Sequence, residues 1–178
     1  PPLRKQFPQM QISAPVKTFS LNGHNRSYID VTLPFSDYSK FFRSNPYNSM
    51  KGEGEQRAED PKHTKKLAGE MLAGNYTPAQ HGACLRQKQR KTLLSIKDGT
   101  ATLELREDDP ISITDGQHRN HSGFSIIQAH PALKAEVDRL PVDVKIMLEG
   151  DPKRDFLRLQ AGKAPDKAHM FSLQTQLS

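Results

Sequence analysis

The stretch TLLSIKDGTATLEL, Thr92 to Leu105, constrains the fold more than any other part of the chain. Apolar and polar residues alternate on both sides of Asp98-Gly99, and a period of two buries one face of a strand while wetting the other. Asp-Gly suits the two positive-φ positions of a tight hairpin turn, so the two halves are expected to pair as antiparallel strands. A short loop, REDDP, leads to ISIT, which reads as a further strand.

Helical and strand signals alternate around this hairpin. RSYIDVTLPF, Arg26 to Phe35, places Tyr28, Ile29, Val31 and Leu33 in a β-rich run stopped by Pro34. SDYSKFFRSNPYN predicts a short helix that ends at Asn45-Pro46, because the residue before a proline is pushed out of the α region. SMKGEGEQRAEDP is Gly-rich and charged and reads as a surface loop. Asp60 and Pro61 open a helix with Leu67, Met71 and Leu72 on one face. Helical spacing of Phe124, Ile127, Leu133 and Val137 runs from Ser122 to about Leu140, ended or kinked at His130-Pro131. PVDVKIML alternates as a strand, and DPKRDFLRLQAGKAPDK predicts a short helix that stops near Gly162. The order is that of an α/β or α+β domain with a small mixed sheet. Four prolines in residues 1 to 20 predict an extended N-terminal arm, with the domain proper over 21–178.

Composition narrows the function classes. Hydrophobic residues make up 34% of the 178 and mean hydropathy is -0.74, which predicts a small core. A net charge of +6 and a pI near 9.5 favour partners that carry phosphate. Cys84 is the single cysteine, which excludes an internal disulfide and a cysteine-based zinc site and fits a reducing cytosol, with a buried structural thiol as its expected role. No apolar run approaches the roughly 18 residues that cross a bilayer, and the opening PPLRKQFPQMQISAP lacks the apolar segment of a secretory signal. The expectation is a soluble, cytoplasmic protein with no membrane partner.

Between the strand ISIT and the following helix stand Asp115, Gly116, Gln117, His118 and Arg119. A helix that begins directly after a strand presents unpaired N–H groups and the positive end of its dipole to an anion. Gly116 permits close backbone approach or a positive φ, Gln117 donates and accepts, His118 donates or changes charge near neutral pH, and Arg119 grips two phosphate oxygens. Asp115 suits a helix cap, a magnesium ion between phosphates or a pair with Arg119. An Asp-Gly turn with charged neighbours facing water is the competing account, and five residues with one glycine do not decide between them.

ITDGQHR resembles the signature of the DGQHR-domain proteins, a group that includes DndB-like proteins of bacterial DNA phosphorothioation systems and is similar to the ParB N-terminal domain and to sulfiredoxin. The resemblance extends over roughly residues 45–174. Asn45, Pro46, Gln56 and Arg57 resemble the upstream Asn-Pro and Gln-Arg elements, with a longer insertion than ParB has. LPVDVKIML and DFLRLQAGKAPDK resemble the closing strand and the Phe-containing segment, where Leu159-Gln160 stands in place of Ile-Asn. What the resemblance implies is a ParB/sulfiredoxin-like α+β fold that binds a nucleoside triphosphate, ATP or CTP, with Mg2+. It implies ATP hydrolysis in a protein that binds DNA and acts in DNA modification or its regulation, as a homo-oligomer or with other DNA-modification proteins. Gly116, Gln117, His118, Arg119, Gln56 and Arg57 would then hold the nucleotide, with Asp115, His118 and Arg119 as catalytic residues and Asp115 as metal ligand. Reductase chemistry of the sulfiredoxin type needs a cysteine within the phosphate box, and this box has none.

Other features open other readings. Arg86, Lys88, Arg90, Lys91 and Lys97 form an acid-free basic run able to track a DNA backbone or to face water as a loop. His118, His121 and His130 lack the spacing of a zinc site, while Asp108 and Asp109 are candidates to join Asp115 around magnesium or to form a plain turn. The rivals are therefore a non-enzymatic DNA-binding transcriptional regulator and a ParB-like metal-dependent DNA nuclease. No Walker A, GxGxxG or GxSxG pattern is present.

Overall fold

A computed structural model describes residues 8–44, 61–77 and 80–152. In chain order the elements are β1 (Gln9–Pro15), β2 (Lys17–Leu21), β3 (His24–Pro34), α1 (Phe35–Phe41), β4 (Phe42–Arg43), α2 (Pro61–Leu72), β5 (Gln80–Cys84), α3 (Gln87–Thr92), β6 (Leu94–Lys97), β7 (Thr100–Arg106), β8 (Ile111–Asp115), α4 (Gln117–Ala129), a 3-10 turn (Pro131–Leu133), α5 (Lys134–Asp138) and β9 (Pro141–Met147). The class is α+β.

Two sheets share one core. The larger is mixed, in the order β2-β3-β9-β5-β8-β4, and the smaller is antiparallel, in the order β1-β7-β6. In the larger, β5 runs parallel to β9 and antiparallel to β8. Alternation decides the faces: Ile29 and Leu33 of β3 and Val142, Val144 and Ile146 of β9 are buried with Phe35, Tyr38 and Phe41 of α1. Tyr28, Asp30, Asp143 and Lys145 alternate with them and point to the other face, which is only partly covered. Each large aliphatic side chain buried in this way contributes about 1.5–3 kcal/mol.

The Asp98-Gly99 hairpin forms as expected, with Lys97 opposite Thr100 and positive φ at both turn residues. α2 begins at Pro61, but its buried face is Thr64 and Ala68, with Leu72 47% exposed. The expected N-terminal arm is a correction: residues 9–15 pair with β7 along their length and 17–21 pair with β3. Pro8 precedes β1 and Pro15 is its last residue, so neither interrupts it, and β1 is an edge strand, where proline is tolerated.

The basic run is likewise not a loop. Residues 87–92 form α3, anchored by Gln89, whose amide donates to Asp109 Oδ1 (3.1 Å) and to the Pro110 carbonyl (3.0 Å) while its Oε1 accepts from the Arg86 N–H. The motif helix starts five residues before Ser122, at Gln117, and ends at Ala129; Pro131 opens the 3-10 turn and α5 carries the buried Val137. Phe124 is 46% exposed and meets the Phe35 ring edge-on at 5.5 Å. α4 packs on α2 through small and polar residues, with Ser122 Oγ donating to the Thr64 carbonyl (3.0 Å). The helix expected over DFLRLQAGKAPDK lies outside the described residues.

Candidate functional site

The site is built where β8 ends. Ile111 and Ile113 lock the strand into the core, Asp115 is its last residue, and Gly116 turns the chain with φ 96° and ψ 10° into the first turn of α4. That left-handed conformation suits glycine because it has no Cβ to clash. The N–H groups of Arg119 and Asn120 both donate to the Gly116 carbonyl (3.1 and 3.2 Å). Those of Gln117 and His118 belong to the first turn and have no carbonyl of the helix to reach, so they point out along the axis.

Behind the turn stands His81 of β5, 3% exposed, which the sequence offered no motif to find. A Cβ at residue 116 would overlap its imidazole ring, so the glycine is required twice, for its φ and for the space. His81 in turn packs on Tyr38 at 5.1 Å between ring centroids, and Tyr38 stacks on Phe42 at 5.0 Å. Complete burial, with the Asp115 charge adding to it, pushes the Tyr38 phenol far above its ordinary pKa. The Tyr38 hydroxyl and Asn120 Oδ1 are buried with no hydrogen-bond partner among the described residues.

Two hollows meet at His81. The larger, of ≈ 490 Å3, opens on the partly covered sheet face and is walled by Phe19, Tyr28, Lys145, Met147, Thr114 and Asp115, with Gly82 in its floor. The smaller is a gap of ≈ 10 Å3, the room of one water, between Tyr38, Tyr76, His81, Arg119 and Asn120. Asp115 and Arg119, four residues apart, thus face different hollows. Arg119 is partly buried, and its charge partly offsets the upward shift that burial imposes on the Tyr76 phenol. The Tyr76 hydroxyl donates to the Pro141 carbonyl at 2.6 Å.

The remaining expected residues are dispersed. Asp108 is held by Arg106 at 2.9 and 3.0 Å, which keeps its carboxyl below the usual range, and Asp109 accepts from Gln89, so both acids serve their own loop. His121 Nε2 lies 3.5 Å from Ser44 Oγ, and His130 caps the far end of α4. Among the described residues no group of three His, Cys, Asp or Glu gathers to hold a metal ion. Arg90 spends its guanidinium on the carbonyls of Gly150 (2.8 Å) and Leu85 (3.4 Å), while Lys88 and Lys91 are exposed. Cys84 is a buried thiol that donates to the Leu85 carbonyl at 3.5 Å. Gln56 and Arg57, with Asn45 and Pro46, lie outside the described residues, as do the side chains of Gln117 and His118.

Among the described residues no helix is long and apolar enough to cross a membrane. Comparison with protein-family models, with curated proteins and with solved structures found no match for this chain.

Proposed function

We propose that the turn from Asp115 to Arg119 holds the phosphates of a nucleoside triphosphate in a ParB/sulfiredoxin-like domain of the DGQHR group. The observation that carries the reading is the backbone at Gly116: a positive φ sends β8 straight into the N-terminus of a 13-residue helix beside a hollow that Asp115 lines. Amide N–H groups at that end are the donors that a polyphosphate needs, and Arg119, which lines the neighbouring one-water gap, adds its positive charge to the same turn. Mg2+ fits as an ion carried mainly on phosphate oxygens, with Asp115 the one carboxylate in the hollow, since magnesium takes few protein ligands. Such an arrangement favours hydrolysis by positioning and charge neutralisation, with His118 next to the phosphates in sequence.

The protein would use this nucleotide to control DNA binding or DNA modification. Lys88 and Lys91 on α3 and Lys97 beside it are the exposed cations of the basic run, and Arg90 contributes less because it is engaged by carbonyls. Each lysine in contact with phosphate adds roughly one unit to the salt slope of DNA binding.

Thermal melts against ATP, CTP and GTP with Mg2+ test the reading, because a ligand that binds only the folded state raises the melting point. A rise for at least one triphosphate, lost in Arg119→Ala, is expected. Melts indifferent to all three would remove the nucleotide proposal and leave a DNA-binding regulator.

A further inference from the structure

The hollow on the partly covered sheet face is larger than a phosphate turn needs. Its floor is a single rung of three neighbouring strands, in which Gly82 of β5 lies between Lys145 of β9 and Asp115 of β8. Glycine inside a strand weakens it and packs nothing, so it marks a bulge or a close approach. Both apply here. The register against β8 shifts between Gly82 and Ala83, and a Cβ at residue 82 would come within 2.9 Å of Thr114 Oγ1.

Asp115 and Lys145 stand on either side of that glycine, two strand spacings or roughly 10 Å apart along the rung. The floor between them is the Gly82 backbone with the Thr114 hydroxyl beside it. On the Lys145 side the wall turns apolar: Phe19, 44% exposed on the edge strand β2, meets Tyr28 at 6.2 Å between ring centroids, and Met147 closes the corner. The Lys145 ammonium lies 4.6 Å from the centre of the Tyr28 ring, which holds it over the hollow.

We infer that this hollow seats the base of the nucleotide, with the flat ring lying over Gly82, the Phe19 ring beside it and the Lys145 ammonium donating to an acceptor on its edge. The inference rests on the reading that the neighbouring turn holds the phosphates. It follows from shape and chemistry together. A volume of ≈ 490 Å3 lies in the range of small-molecule sites, which combine apolar walls with a few placed polar groups. A flat heteroaromatic ring needs a floor without side chains, and every nucleobase offers an acceptor nitrogen or oxygen to a lysine. Asp115 links the two halves, since it lines the hollow and immediately precedes Gly116.

The test is calorimetric titration of the full chain, in Mg2+, with ATP, CTP, GTP, UTP and inorganic tripolyphosphate. Phe19→Ala and Lys145→Met are measured beside it; both residues lie outside the buried core. At least one triphosphate should bind about tenfold tighter than tripolyphosphate, the increment of one charged hydrogen bond with some stacking. Both variants should lower that affinity toward the tripolyphosphate value and leave tripolyphosphate itself unchanged. Tripolyphosphate binding with no gain from any base would overturn the base site while the phosphate turn stands. A gain that neither variant reduces would place the base elsewhere and overturn it too. No binding by any of the five would remove the turn and the base site together.

Discussion

The chain contains two Asp-Gly pairs, each at a turn that follows a strand, and they make a natural experiment. At Asp98-Gly99 both residues have positive φ (52° and 75°), the hairpin closes in two residues, and a Cβ on Gly99 would meet nothing within 4 Å. At Asp115-Gly116 only the glycine has positive φ, and the space its Cβ would need is taken by the His81 ring. The first glycine is there for the turn alone. The second is there for the turn and for a buried imidazole packed against the backbone, so a plain connector and a built site share one dipeptide and differ in what stands behind it.

Gly116→Ala should be the most damaging test of that difference, at about 3 kcal/mol or more, because it adds left-handed strain to overlap with a ring that core packing holds in place. Denaturant melts measure it, and a double-mutant cycle with His81→Ala should recover part of the loss. A loss near 1 kcal/mol with no coupling would make the two turns equivalent.

Tyr38, which supports His81, comes next. Its folded pKa is raised, so the phenol stays protonated in the native state while the unfolded chain ionises above pH 10.0. Stability is therefore held below that pH and falls as pH rises above it, by about 1.4 kcal/mol per pH unit from this one group. Tyr38→Phe removes a hydroxyl with no partner among the described residues; it should leave neutral-pH stability equal or about 1 kcal/mol higher and flatten the alkaline decline in melts between pH 9 and 12.

Gly99→Ala should cost about 1 kcal/mol, the conformational penalty alone, read from the same melts. Asp98→Asn should change stability by less than about 0.5 kcal/mol, since asparagine tolerates positive φ and the position is exposed. A larger cost would mean that the hairpin tip has a role beyond closing the turn.

The elements legible in the sequence are mainly those whose burial alternates with apolar side chains, β3, β7 and β9 with the Asp-Gly hairpin, together with the strand ISIT that became β8. The hidden ones bury something else. α3 is pinned by Gln89, 1% exposed and polar, so no apolar period marked it, and its lysines gave it the look of a loop. β5 reads QHGAC, with a histidine and a glycine where a central strand ordinarily has branched aliphatics. β1 carries Met10, Ile12 and Ala14 in alternation, but the surrounding prolines masked it. The candidate site was half visible for the same reason. The turn announced itself through its residue types, whereas His81 and Gly82 belong to β5, some thirty residues earlier, and only pairing with β8 and β9 brings them to the turn.

That pairing also sets the order of assembly. β5 hydrogen-bonds on one side to β8 and on the other to β9, and β9 is in turn the partner of β3, with Tyr28 opposite Met147. During synthesis the hollow therefore has no far wall until residues 141–147 have left the ribosome: a nascent chain that stops short of them can set the ITDGQHR turn against β5 but lacks the strand that carries Lys145 and Met147.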